Sequence, residues 1–191
     1  MKNICVFCGS SKGIDPVFEN KAKILAGEFV RNQTTLVYGG GSIGLMGILA
    51  DEIRRRNGYV IGVIPRFLYD LEVGHDGVNE LIIVDSMHER KQKMAEISDG
   101  FLALPGGFGT LEEMAEILTW VQLNLIRKPV GILNLEGFFD PLLNLFDHMV
   151  ETGFLKKTNR DILIVGKDPE QILKELRSAP AFASNKWHEK T

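Results

Sequence analysis

The stretch Val37-Tyr38-Gly39-Gly40-Gly41-Ser42-Ile43-Gly44-Leu45-Met46-Gly47 carries an apolar run into a glycine turn and on into an amphipathic segment. It contains G-x-G-x-x-G in a strand, turn, helix setting, where bare backbone N–H groups and a helix start can approach a phosphate. Alone the pattern is a weak signal, since a tight turn with close helix packing needs the same glycines. A dinucleotide-binding chain adds an acidic residue about 20 residues later to hold the ribose hydroxyls. Here the next strand ends Val63-Ile64-Pro65-Arg66, without an acid. Arg66 keeps an NADP-linked oxidoreductase open, through a 2′-phosphate. A P-loop is out, because Leu45-Met46 follow Gly44 where Lys and Ser or Thr are required.

Outward from this turn, short β-rich apolar runs alternate with amphipathic stretches, the pattern of a parallel sheet covered on both faces by helices. The sequence predicts strands near 2–8, 34–38, 59–64, 81–84, 100–104, 130–134 and 162–165, and helices over 16–32, 42–57, 87–98, 110–125, 139–152 and 169–177. The expected fold is α/β: a single Rossmann-like domain over 1–177 with a mostly parallel sheet, followed by a C-terminal tail over 178–191 that lacks apolar periodicity. A length of 191 residues fits one domain, and 45% apolar with 25% charged residues predicts a real core.

A net charge of −3 supplies no basic field for a nucleic-acid backbone or an anionic membrane, so a small ligand is expected. The apolar run at Ile4 is broken by Gly9-Ser10-Ser11-Lys12 before it could serve as a signal core or membrane span, which predicts a cytoplasmic protein. Cys5 and Cys8 form a C-x-x-C, but positions three apart in a strand point to opposite faces. They are read as buried strand thiols and not as a redox or metal pair.

Open α/β sheets bind ligands beyond the carboxyl ends of their strands, so the loops at Gly9, Gly39, Pro65, Asp85 and Pro105 are expected on one rim. Pro65 to Asn79 is a long connection of the kind that often contacts ligand. A second glycine loop, Pro105-Gly106-Gly107-Phe108-Gly109-Thr110-Leu111-Glu112-Glu113, directly follows the apolar run Phe101-Leu102-Ala103-Leu104 and offers another seat for a phosphate. Thr110 stands where a helix should start, and Thr110-x-x-Glu113 reads as a capping box. Glu112, Glu113 and Glu116 nevertheless bring more negative charge than a cap requires, so a second role for Glu113 stays open.

The segment Met87-His88-Glu89-Arg90-Lys91-Gln92-Lys93-Met94-Ala95-Glu96-Ile97 reads as a helix whose inward stripe, marked by Met87, Met94 and Ile97, also carries Arg90 and Lys91. Snorkelling or a structural ion pair is the common outcome for such cations. Against it, Ser86-x-x-Glu89 reads as a capping box that starts this helix on the ligand rim and turns Arg90 toward the site. His88-Glu89 does not open a zinc motif, since Gln92 occupies the second histidine position; no metal is expected. On the helix over 110–125, Leu111, Met114, Leu118 and Val121 form one stripe while Ile117, Trp120 and Leu123 add apolar surface beyond it. One sheet does not cover both, which points to a homodimer.

Met87-His88-Glu89-Arg90-Lys91 followed by Pro105-Gly106-Gly107-Phe108-Gly109-Thr110-Leu111-Glu112-Glu113 resembles the LONELY GUY (LOG) family. The likeness extends over Val37 to Gly41, Gly44 to Gly47, Thr119-Trp120 and Lys128-Pro129-Val130-Gly131. It implies a cofactor-free cytokinin riboside 5′-monophosphate phosphoribohydrolase, or a similar enzyme acting on AMP, assembled as a homodimer. It further implies that Arg90 and Glu113 are the catalytic pair, and that Glu72, Arg90, Lys91, Gly107, Phe108, Gly109, Thr110, Leu111, Glu112, Glu113 and Thr119 contact substrate. Gly39, Gly40, Gly41 and Gly44 would line the same cleft. Members often carry the label lysine decarboxylase, but nothing here singles out a Schiff-base lysine with a partner for a pyridinium nitrogen. The competing expectation is a non-catalytic nucleotide or cofactor carrier, since a fold and a phosphate loop do not imply chemistry.

Overall fold

Strand β1 (Asn3–Phe7) is buried at four consecutive positions, Ile4 to Phe7, because helices cover both of its faces. The computed structural model describes residues 1–179, apart from the side chains of Glu72 and Val73; the tail expected over 178–191 lies outside the described residues from 180 onward. Along the chain, β1 is followed by α1 (Pro16–Arg31), β2 (Thr35–Tyr38), α2 (Gly44–Arg55), β3 (Val60–Pro65) and the short α3 (Arg66–Leu68). A π-helical turn, Tyr69–Val73, leads to β4 (Glu80–Val84), α4 (Met87–Ile97), β5 (Gly100–Ala103), α5 (Phe108–Gln122) and β6 (Val130–Leu133). After a 3-10 turn at Leu135–Gly137 come α6 (Asp140–Glu151), α7 (Lys157–Arg160), β7 (Leu163–Gly166) and α8 (Pro169–Ser178).

All strand pairs are parallel, in the order β4-β3-β2-β1-β5-β6-β7. The chain winds outward from β1 to β4, then α4 returns it to β5 on the other side of β1. The strand order therefore reverses between β1 and β5, and the loops leaving these two strands frame the crevice where such sheets take ligands.

Strand alternation divides the core in two. Ile4, Val6 and Cys8 pack with Leu25 and Phe29 of α1, Leu45 and Leu49 of α2, and Ile172 and Leu176 of α8. Cys5, Phe7 and Phe101 pack on the opposite face with Met94 of α4 and Met114, Ile117 and Val121 of α5. The two cysteines thus face apart, both buried and both free thiols, as the spacing predicts. Truncating a side chain as buried as Phe29 to alanine should cost about 3–5 kcal/mol.

Two local expectations need correction. The Pro65 to Asn79 connection is not plain loop, since α3 and the π-helical turn satisfy part of its backbone locally. Helix α5 starts at Phe108, two residues before Thr110, and its buried line is Thr110, Glu113, Met114, Ile117 and Val121. Leu111 and Leu118, part of the apolar stripe read from the sequence, are only partly buried and pack at the margin of this core face. The true stripe has the expected helical period but includes two polar residues, which a hydrophobicity count leaves outside.

Candidate active site

The two glycine loops meet at the crevice between β1 and β5. Gly9 donates its N–H to the Pro105 carbonyl at 3.0 Å, and a Cβ on Gly9 would come within 3.2 Å of the Gly106 α-carbon. Gly44, at φ +63°, adopts the left-handed region at the start of α2, and a side chain there would strike the Ser10 backbone. Gly9 accepts the Leu45 N–H at 3.0 Å, fastening the first loop to α2. A cavity of about 260 Å³ opens at this junction, walled by Ser10, Ser11, Lys12, Phe18, Gly107 and Phe138 among others. The Gly9-Ser10-Ser11-Lys12 loop was expected on the rim but not counted among the site residues. Its signal was topological: it leaves the central strand at the point where the winding reverses.

The helices that follow the glycine loops start differently from their neighbours. Asp15, Ser86 and Asp168 cap α1, α4 and α8 with side-chain hydrogen bonds, and α6 carries Asp140 in its first turn. Helices α2 and α5 have no side-chain cap and no acid in the first turn. Their leading N–H groups and dipole ends are left for another acceptor, the setting in which helix starts bind anions. At α5 the approach is open: a Cβ on Gly107 or Gly109 would meet nothing within 4 Å, and Phe108 is 92% exposed.

The expected capping box at Thr110 and Glu113 is absent, because Gly107 is the N-cap and Thr110 already lies inside the helix. Thr110 is buried, and its hydroxyl fills the space where a side chain on Gly106 would begin. Glu113, one turn further in, is freed from capping duty. It points instead at Arg90, whose Nη2 lies 3.7 Å from Glu113 Oε1, each side chain retaining 10% of its exposure.

Arg90 is fixed from three more directions. Its Nε donates to the Val63 carbonyl at the end of β3 at 3.2 Å, its Nη1 lies 3.7 Å from Met87 Sδ, and its Nη2 abuts the α-carbon of Gly39 at the end of β2. The start of its helix is set as the sequence implies, with a small difference. Ser86 Oγ accepts the Glu89 N–H at 3.1 Å, but Glu89 reaches back to the Asp85 N–H at 2.9 Å, one residue before the cap.

Lys91, also buried, pairs with Glu112 and with Glu116 at 3.1 Å. The crowded carboxylates of α5 are thereby sorted, two to Lys91 and one to Arg90. Burial pushes the Glu113 carboxyl above its ordinary value, opposed but not cancelled by Arg90. Burial works against the Lys91 ammonium, yet its hydrogen bonds to Glu112 and Glu116 outweigh that and raise its pKa.

The remaining expected residues scatter. Gly40 (φ +73°) seats the turn against Ile64 and Leu81, and the Gly41 backbone bridges to Gly74. Thr119 faces away from Glu113's surroundings, into a hollow of about 170 Å³ between α5 and α6 with Leu118, Phe146, Met149 and Leu155. Glu72 belongs to the π-helical turn, and its side chain lies outside the described residues. Arg66 stands 5.9 Å over the Tyr69 ring. Among the described residues no group of three or more His, Cys, Asp or Glu is arranged to hold a metal, and no helix is long and apolar enough to cross a membrane.

Residues 46–176 match the family model described as possible lysine decarboxylase. The chain is 45% identical over 177 residues to a cytokinin riboside 5′-monophosphate phosphoribohydrolase of Arabidopsis thaliana, covering 93% of this chain and 78% of that protein. It is 47% identical over 173 residues to a probable enzyme of the same name from Oryza sativa subsp. japonica, covering 91% and 78%. Among solved structures, the molybdenum cofactor binding protein of Rippkaea orientalis superposes with a TM-score of 0.69 at 22% identity, over 93% of this chain and 97% of that one. This last likeness concerns the Rossmann-like fold alone. Identity near one half along nine tenths of the length is kinship of a closer kind: the chain belongs to the LONELY GUY (LOG) family.

Proposed function

We propose that this chain hydrolyses the N-glycosidic bond of a nucleoside 5′-monophosphate, cytokinin riboside 5′-monophosphate or AMP, to free base and ribose 5-phosphate, with residues 1–177 as the catalytic domain. The observation that carries this reading is the buried Glu113 carboxylate held against Arg90 one turn inside a helix whose N-terminus is uncapped and open.

The 5′-phosphate sits on the backbone N–H groups of Gly107, Phe108, Gly109 and Thr110, each charge-assisted bond being worth about 1.5–3 kcal/mol. Glycosidic cleavage passes through an oxocarbenium-like ribosyl centre, which an adjacent carboxylate stabilises. Glu113 takes that part. Arg90 orients Glu113, and water supplies a hydroxyl to the anomeric carbon and a proton to the departing base. Lys91 and Glu112, the exposed Phe108, partly buried Leu111 and Glu72 complete the substrate contacts on the family pattern, with Gly39, Gly40, Gly41 and Gly44 lining the cleft; Thr119, which opens on the α5–α6 hollow, does not join them. The chemistry as written uses no cofactor. A Schiff-base decarboxylase needs a lysine whose amine is readily deprotonated, whereas the carboxylates around Lys91 hold it as an ammonium.

The homodimer rests on the α5–α6 hollow and on Leu125 and Phe154, both well exposed beyond the ends of these helices. A cytoplasmic location is supported by the two free thiols. The carrier reading draws only on the fold it shares with the molybdenum cofactor binding protein. Incubation with AMP, cytokinin riboside monophosphates, free nucleosides and lysine, resolved by chromatography, tests the proposal. Free base is expected from monophosphates alone; monophosphates returned intact would overturn it.

A further inference from the structure

Beside the glycine turn lies a polar chain that the mechanism does not use. The Tyr38 hydroxyl is 2.9 Å from His75 Nδ1, and His75 Nε2 is 3.1 Å from Asp51 Oδ1. Tyr38 is fully buried at the end of β2, Asp51 stands largely exposed on α2, and the His75 side chain keeps 12% of its exposure. With the Asp51 carboxylate accepting the Nε2–H, Nδ1 is left as the acceptor for the Tyr38 O–H, so the neutral ring satisfies both neighbours at once.

We propose that His75 is a positioning residue, which clasps the Pro65–Asn79 connection onto the Gly39–Gly41 turn and through Gly39 sets the place of the Arg90 guanidinium. The backbone supports this as well as the side chain. The His75 N–H donates to the Gly40 carbonyl at 2.9 Å, and Gly74 bridges to Gly41. Gly74 is itself covered by the Tyr69 ring, whose hydroxyl donates to Asp76 at 3.2 Å, while Arg54 Nε of α2 donates to the Gly77 carbonyl at 3.1 Å. The imidazole thus ties together β2 and α2, the two elements that flank the turn. The turn has one further neighbour that matters: Gly39 borders Arg90 so closely that a small shift of its backbone moves the guanidinium relative to Glu113. The segment that carries Glu72 is held by the same clasp.

The kinetic part of this inference rests on the hydrolase reading; the structural part does not. His75→Phe keeps a ring but removes both side-chain hydrogen bonds, and Tyr38→Phe removes one without disturbing the packing. Amide hydrogen exchange at Gly40, Gly41 and residues 74–78 should quicken about thirtyfold in His75→Phe, which loses two hydrogen bonds, and about fivefold in Tyr38→Phe, which loses one. In folded His75→Phe protein, kcat for base release from AMP should fall about tenfold or more, with a smaller change in KM, an outcome that a merely structural residue would not give. Unchanged exchange in both variants, or faster exchange with wild-type kcat and KM, overturns the proposal. Should wild-type protein release no base from any monophosphate, the hydrolase reading fails, and the exchange comparison alone decides the clasp.

Discussion

The Nη2 atom of Arg90 occupies the space in which a side chain at Gly39 would begin, so the end of β2 serves as a wall for the guanidinium. Gly39 has no left-handed backbone to explain its lack of a side chain. The close approach explains it. Gly39→Ala should therefore spare the fold, since the atom displaced is the far end of a flexible side chain, but push Arg90 away from Glu113. A melting temperature within a few degrees of wild type and a loss of about a hundredfold in kcat/KM are expected, the scale seen when a fixed donor at a developing charge is misplaced. Wild-type kinetics in this variant would detach Arg90's position from turnover.

Burial raises the Glu113 pKa against the pull of Arg90, and this fixes the sign of its effect on stability. Its folded pKa lies above the unfolded one, so the folded state holds the proton more tightly and stability falls as pH rises through that window. Glu113→Gln, neutral and of the same shape, should melt at or above the wild-type temperature at pH 7, and the two curves should converge below about pH 4. Turnover should drop by about a hundredfold or more. Scanning calorimetry across pH together with base release checks both halves; a clear loss of stability at pH 7 would contradict the raised pKa.

Lys91, the residue after Arg90 on α4, lowers the Glu113 pKa while it binds Glu112 and Glu116. In Lys91→Met the three carboxylates lose that cation, and Glu113 is harder to ionise. The acidic limb of the kcat/KM profile should move to higher pH than in the wild type, so the variant is handicapped more at pH 6 than at pH 8. A limb that stays in place would remove Lys91 from the electrostatics of Glu113.

How much of this was legible beforehand differs between fold and site. The parallel sheet was open to reading because its strands are short, apolar and evenly separated by amphipathic helices, and every major element falls within a few residues of its expected bounds. Arg90 and Glu113 were legible as a pair through the motifs that resemble the family, but the contacts that hold the pair were not, since these span β2, β3, α4 and α5. The false capping box shows why. Thr110-x-x-Glu113 satisfies the local pattern, yet three glycines let the helix begin at Phe108 and turn both side chains inward. His75 escaped notice for a related reason: its three partners, Tyr38, Gly40 and Asp51, are all distant in sequence, and His75 itself belongs to no motif.

The homodimer has a direct test. Leu118 and Thr119 of α5 share their hollow with Phe146 and Met149 of α6, and a second copy of the chain is the proposed cover. Sedimentation velocity at micromolar concentration should give a species near twice the chain mass, and Leu118→Asp should convert it to monomer. A wild-type monomer under these conditions would count against the assembly.

The open start of α5 allows stability and binding to be moved in opposite directions by one methyl group. Gly109 lies in the first turn, with nothing within 4 Å of where a Cβ would project. Alanine is the better helix former, so Gly109→Ala should stabilise the protein by up to about 1 kcal/mol. The same methyl would stand in the space assigned to the 5′-phosphate, so KM for AMP should rise several-fold and product inhibition by ribose 5-phosphate should weaken in step, with kcat less affected. If the phosphate instead sat at the start of α2, this variant would be more stable and kinetically silent, and the matching change would have to be sought at Gly44. The opposite movement of melting temperature and KM is what ties the anion to the second glycine loop.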